Sequence, residues 1–433
     1  MSSGLSSSFV SALQASLSVL LVISYGVIAA RLDLLDQPTS KKISTVCVRL
    51  FLPALLITSV GSQLELENAL QYVAILVWSI IYNVTSLSIG LFSYKVFHLP
   101  SWIIPAITFN NTTSLPLLLV ESLRATGILE RLLRDGEPSS RAITRAQSFF
   151  LVNAVVGNYL TFAIGPRLIG VKYKRRVYKD DHAVHPNGSS SRIPTGESDE
   201  PDEPDEETPL FLPRVSYADG GIEHGIDAGT KPRWGRVSAR IQKLLSLVSA
   251  LINPPLVGAV IGAVLGLVPA LHRAFFADTD AGGIFTAWLT QSLQNVGQLF
   301  VSLQVVVVGV SLYSALRKMA RGEDSGSISW TSILFVFLVR FAVWPAISVA
   351  VIYAVASKTA LLDNDPILWF AMMLMPTGPP AIKLVALADV SGADDTVKMI
   401  LSKLLVISYT LSPVLAFAVV AALNVSEAAI TGG

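Results

Sequence analysis

Asn110-Asn111-Thr112-Thr113-Ser114-Leu115-Pro116 interrupts an apolar run, Trp102–Leu123, and Met375-Pro376-Thr377-Gly378-Pro379-Pro380 interrupts another, Ile367–Ala388. Each run has the length of a membrane-crossing helix, about 20 residues for a hydrocarbon core about 30 Å thick. Neither reads as a continuous helix. The first places five consecutive polar residues at its centre, just before a proline. The second holds three prolines and a glycine in five residues, and each proline removes a backbone donor and clashes with the preceding turn. Backbone freed at that depth has to be buried in protein or line a wet cavity.

The rest of the chain reads as membrane protein too. Of 433 residues, 52% are apolar and 15% charged, against about 25% charged in soluble domains. The charge is also uneven, since 26 of 63 charged residues fall within 167–243. The remainder carries about one charge per ten residues, too few for a soluble surface. A net charge of +1 offers no field for nucleic acid. One cysteine, Cys47, excludes a disulfide framework and a thiolate metal site. No HExxH, Walker loop or GxGxxG occurs, so no metal, cofactor, nucleotide engine or enzyme activity is expected. Met1–Ser8 lacks the positive start of a signal peptide, and Phe9–Ala30 reads as the first span.

Counting apolar segments gives ten spans in two clusters of five. The first cluster is Phe9–Ala30, Ile43–Ser59, Tyr72–Phe92, Trp102–Leu123 and Gln147–Ile169. The second is Leu244–Val268, Leu289–Leu312, Trp330–Ala356, Ile367–Ala388 and Met399–Leu423. The chain divides into 1–169, a polar linker at 170–243 and 244–433. The linker, with its Ser, Gly and Asp/Glu-Pro runs, reads as disordered.

Lys/Arg asymmetry places the linker in the cytosol and the N-terminus on the lumenal or extracellular side. Lys172, Lys174, Arg175, Arg176 and Lys179 precede the linker, and Lys231, Arg233, Arg236, Arg240 and Lys243 close it. The connector Arg124–Arg145 runs against this pattern, with five Arg and three acids on the outer side. An odd span count per half makes the second half inverted relative to the first, a recurrent transporter architecture. Both interrupted runs are then the fourth span of their repeat.

Half-helices starting at two such breaks present unpaired N–H groups and positive dipole ends, which suit an anion. The candidate substrate site is therefore Asn110, Asn111, Thr112, Thr113, Ser114 and Pro116 with Met375, Pro376, Thr377, Gly378, Pro379, Pro380 and Lys383. Pro116 alone would need no more than a kink, and mid-span Asn and Thr can simply bond between helices. The coincidence of two breaks at one repeat position favours the site. Lys383, one turn into the second half-helix, is the candidate for pairing an anion, with snorkelling to an interface as its competing role. Asn153 and Asn158 are candidates for the cavity wall, although hydrogen bonding between helices is the simpler role. Arg340, Lys403, Glu121 and Asp389 are ionisable residues in spans without an assigned task.

The chain resembles the auxin efflux carrier superfamily, which includes the plant PIN-formed and PIN-likes proteins and fungal members. The resemblance rests on Tyr25-Gly26 with the Arg31–Leu35 turn, Leu52-Pro53-Ala54-Leu55-Leu56, Asn110–Pro116, Asn253-Pro254-Pro255 and Met375–Pro380. It covers both halves but not the linker. Pro255 stands where plant PIN carriers have a second Asn, which fits the PIN-likes and fungal branch better. The resemblance implies crossed, broken fourth and ninth helices and a scaffold of helices one, two, six and seven through which homodimers form. It also implies a small organic anion as substrate, of the indole-3-acetate type, and residence in the endoplasmic reticulum, with plasma or vacuolar membrane as alternatives.

Two other functions fit the same residues. One is ion-coupled transport with Na+ or H+, which generally needs carboxylates at the crossing, where the breaks carry none. The other is a non-transporting regulator acting through the linker, whose Glu206-Glu207-Thr208-Pro209-Leu210-Phe211 resembles a dileucine sorting signal.

Overall fold

The computed structural model describes residues 2–133, 137–180, 254–322, 329–359 and 361–431. All regular structure among them is helical. The helices are α1 (Ser2–Arg31), α2 (Gln37–Gly61), α3 (Ala69–Val96), α4 (Ile103–Thr108), α5 (Ser114–Ala125), α6 (Ser139–Asp180) and α7 (Pro254–Leu267). They continue with α8 (Pro269–Phe276), α9 (Thr286–Ala320), α10 (Trp330–Lys358), α11 (Pro366–Leu374), α12 (Lys383–Val390), α13 (Asp395–Thr410) and α14 (Leu415–Thr431). Six are long and apolar enough to cross a membrane, or eight if two bent pairs each count once.

Prolines explain most departures from straight helix. In α2 and α10 a wider π-turn, Cys47–Phe51 and Val339–Val343, lies just ahead of Pro53 and Pro345. The extra residue moves the preceding turn away from the proline ring.

Glycines decide how closely the helices pack. A Cβ on Gly26 of α1 would lie 2.1 Å from the Val306 carbonyl oxygen, and one on Gly309 of α9 would lie 2.0 Å from that of Ile23. The two backbones touch there, and no side chain fits between them. Gly258, Gly262 and Gly266 line one face of α7 and pack likewise on Pro53, Leu56 and Leu64. Helices α1, α2, α7 and α9 form one packed group by these contacts and by α2 on α9.

Several spans differ from the sequence reading. The fifth starts at Ser139, bends by 43° and continues as helical backbone to Asp180. Helix thus extends into residues assigned to the disordered linker, because no Pro or Gly follows Gly170 to stop it before Asp180. The sixth is described from Pro254 and turns by 103° into α8 at Pro269. Leu244–Asn253 and the linker from Asp181 onward, including Glu206–Phe211, lie outside the described residues. The tenth is not one helix over Met399–Leu423, because a short 3-10 turn at Ser412–Val414 divides it. Pro413 cannot supply the N–H that would carry α13 into α14.

The aberrant connector also has an account. Arg131 bonds Ser8 at 3.0 Å and approaches Glu427 at 3.8 Å, while Arg124 pairs with Glu121 at 3.2 Å. Arg145 is buried between Glu137 and Asp365, the latter at 3.1 Å. Three of its five arginines are thus met by carboxylates. The contacts gather Ser8, the connector, Asp365 and Glu427 at one end of the molecule.

Candidate functional site

The two interrupted runs break and meet. In the first, α4 ends at Thr108, residues 109–113 are non-helical, and α5 begins at Ser114. Pro116 is the third residue of α5, where its missing N–H would have had no helical partner anyway. It stands in the first turn of the second half-helix and does not end the first. In the second run, α11 ends at Leu374 and α12 begins at Lys383. Between them Gly378 has φ of +101°, a conformation that disfavours a side chain.

The breaks pair as a short antiparallel bridge between Asn110 and Pro380. Asn111 N–H donates to the Pro379 carbonyl at 3.1 Å, and Ala381 N–H to that of Phe109 at 2.9 Å. Because Ala381 is committed to Phe109, and Pro379 and Pro380 have no N–H, α12 starts only at Lys383. Lys383 is therefore the first residue of its half-helix, not one turn inside it.

Each proline of the second break orphans the carbonyl four residues before it, and each orphan finds a side chain. Pro376 frees Met372, whose oxygen accepts from Trp78 Nε1 at 2.9 Å. Pro379 frees Met375, which accepts from Asn110 Nδ2 at 2.8 Å. Pro380 frees Pro376, which accepts from Arg340 Nη1 at 3.2 Å. Thr377 folds back on Leu374, so the Met373 oxygen is left for Ser348 Oγ at 2.6 Å. Asn110 also donates to the Thr377 carbonyl at 3.1 Å. A buried unpaired backbone group is destabilising by about 1–3 kcal/mol, so these four side chains hold the break in shape.

Asn111 is a second junction. Its Nδ2 donates to Tyr409 Oη at 2.8 Å and to Ser114 Oγ at 3.3 Å, and its Oδ1 accepts from Thr113 N–H at 3.2 Å. Thr112 and Thr113 are buried, and Thr112 packs against Gly157 of α6. Lys383 Nζ donates to Asn158 Oδ1, bringing α12 onto α6. Asn153 is fully buried, and its Oδ1 accepts from Ser79 at 2.7 Å and Tyr82 at 2.8 Å. It ties α6 to α3. Glu121 lies half-exposed beside Arg124, and the side chain of Asp389 lies outside the described residues.

The sequence reading grouped the break residues but missed Trp78, Tyr82, Trp344 and Tyr409, and left Arg340 unassigned. Polar-tipped aromatics in apolar spans were the available signal. A buried Tyr hydroxyl or Trp N–H normally needs a partner.

A space bordered by Val19, Ile23, Asn111, Ser114, Val308 and Tyr409 lies beside the first break, too tight to admit a water molecule. No group of three or more His, Cys, Asp or Glu placed to hold a metal occurs among the described residues.

The family described as "Membrane transport protein" matches residues 11–419, nearly the whole chain. The chain belongs to this membrane transport protein family, that of the auxin efflux carriers. Within it, an uncharacterized transporter of Schizosaccharomyces pombe is 24% identical over 420 residues, 88% of either chain. The protein PIN-LIKES 2 of Arabidopsis thaliana is 23% identical over 395 residues, 83% of this chain and 82% of its own. PIN-LIKES 1 of the same plant is 22% identical over 190 residues, 43% of this chain and 36% of its own. As in the sequence reading, the similarity points to the PIN-likes and fungal branch. Membership makes the protein a multi-pass membrane protein with a transport role.

Proposed function

We propose that the protein is a secondary carrier for a small organic anion, an aromatic carboxylate of the indole-3-acetate type, bound where the two broken helices cross. The observation that carries this reading is the Asn110–Pro380 bridge, which joins two helix breaks lying far apart in sequence. Side-chain donors and half-helix starts converge there, and such a place suits a carboxylate. The substrate residues are Asn110–Ser114, Pro116, Met375–Pro380 and Lys383, with Asn158 behind Lys383. Counting α4/α5 and α11/α12 as one span each, with α13/α14 as the tenth, gives ten spans in two inverted fives.

The space beside Asn111 admits no water, so substrate reaches it only when helices part. The tight group α1, α2, α7 and α9 is the scaffold against which the break-bearing helices move, and the surface through which two copies associate. The resident membrane is the endoplasmic reticulum, following the PIN-likes resemblance, with the linker cytosolic.

Uptake of labelled indole-3-acetate into proteoliposomes tests the reading, comparing the intact chain with one lacking residues 185–230. Saturable uptake by both supports a carrier. Uptake no faster than in empty liposomes sinks it.

A further inference from the structure

Arg340 is fully buried, on the π-turn of α10 beneath the second break. Its Nη1 holds the Pro376 carbonyl at 3.2 Å, while Nε and Nη2 have no hydrogen-bond partner. Among the described residues it makes no ion pair. Of the described ionisable groups, the Tyr82 and Tyr409 hydroxyls interact with it electrostatically. A guanidinium stays protonated in proteins, so neutralisation is not an escape. A buried charge without a counter-charge is strongly unfavourable.

A second buried donor on the same helix is unpartnered as well. Trp344, four residues on and buried, has an indole N–H with no partner. Its ring packs edge-on against Tyr82, centroids 6.1 Å apart. Neither Arg nor Trp can accept a hydrogen bond, so the free N–H groups at Nε and Nη2 of Arg340 and at Nε1 of Trp344 all need an acceptor from elsewhere. Tyr409 accepts from Asn111 at 2.8 Å and keeps its own hydroxyl proton to donate. A π-turn inside a helix is often found at functional sites.

We propose that Arg340, with Trp344 and Tyr409, receives the carboxylate of the transported anion and supplies the charge that the breaks themselves lack. This rests on the organic-anion carrier reading and names the group that selects for charge. A carboxylate brings two oxygens with about four acceptor positions, enough for the fork of Arg340 and one or two further donors. Lys383, held on Asn158, is a separate cation and is not required for this contact. The Pro376 carbonyl ties Arg340 to the break, so filling the site also bears on the junction that would have to move.

The test uses the purified full-length protein in lipid nanodiscs, titrated with indole-3-acetate and with indole-3-acetamide, its neutral analogue of nearly the same shape. The wild type is expected to prefer the acid at least tenfold. Arg340→Gln should bind both alike, and Arg340→Lys should keep the preference with weaker acid binding, because an ammonium lacks the bidentate fork. Arg340→Gln retaining the tenfold preference overturns the assignment while leaving the carrier reading intact. A wild type that does not distinguish acid from amide overturns both. Should Arg340→Gln fail to fold, Arg340→Lys and Trp344→Phe decide. Each should lose several-fold in acid affinity with amide affinity unchanged, and wild-type acid affinity in both overturns the assignment.

Discussion

The Asn110 side-chain amide donates to the Met375 carbonyl, the oxygen that Pro379 deprives of its helical donor. One break thus repairs the other. A residue from the first half of the chain completes the backbone of the second, so neither break has its observed shape without the other.

Replacing Asn110 by Leu should therefore weaken the fold as well as the site. It leaves the Met375 and Thr377 carbonyls without their donor, each a loss of about 1–3 kcal/mol. The midpoint of thermal unfolding in detergent should fall by several degrees. A Leu variant that melts with the wild type would show that those carbonyls have other partners.

Packing of α1 on α9 has no room for a methyl group. Gly26→Ala and Gly309→Ala should each lower stability, by about 1–3 kcal/mol for an overpacked contact, since the nearest atoms are backbone and cannot rotate away. Fluorescence-detected size exclusion after heating measures this. Ala at either position giving wild-type thermostability contradicts the contact.

Arg145 sits between Glu137 and Asp365, with Asp365 fully buried and also accepting from Ile367 N–H at the start of α11 at 3.1 Å. Asp365→Ala leaves a buried arginine short of charge and a helix without its cap. Breaking a buried pair is destabilising by about 3–5 kcal/mol, so the variant should be recovered in low yield, and Asp365→Asn should recover part of the loss by restoring the cap. Equal yields for Ala, Asn and wild type would dismiss both roles.

Lys383 heads the second half-helix at the proposed site, so Lys383→Ala should lower affinity several-fold for indole-3-acetate and indole-3-acetamide alike in nanodisc titrations, the preference for charge resting on Arg340. Its bond to Asn158 supplies the contrast. If Lys383→Ala binds substrate as wild type does but melts earlier, its task is to join α12 to α6.

Cysteine pairs test the division between scaffold and moving part. A cross-link between α1 and α5, which are in contact, should stop uptake while leaving binding from one side. A cross-link between the first break and the second should be tolerated, because both travel with the substrate. The opposite pattern in liposome uptake would replace the moving domain with a local gate.

The helix breaks between Thr108 and Ser114 and between Leu374 and Lys383 were legible from the chain because their cause is local. Prolines at 376, 379 and 380 and polar side chains from 110 to 114 forbid a continuous apolar helix wherever they lie. The division of the tenth span was missed although Pro413 was equally visible, since a single proline in a membrane helix usually gives only a kink. The helical extension to Asp180 is not legible from composition, because the polar residues of 171–180 suit a linker as well as a helix and none of them breaks one.

By itself the sequence determined that the chain is helical and membrane-embedded, that helix is interrupted at 110–114 and 376–380, and that those two breaks carry no carboxylate. Those properties follow from transfer of apolar residues out of water and from the missing N–H of proline, both of which act residue by residue. Only the tertiary structure decided that Asn110 serves Met375, that Trp78 serves Met372 and that Arg340 lies beneath Pro376 with two groups unpartnered. An orphaned carbonyl requires some donor, and which donor reaches it depends on how helices far apart in the sequence pack. Gly26 and Gly309 illustrate the same division, since the chain shows two glycines and only the crossing of α1 on α9 shows that nothing larger fits.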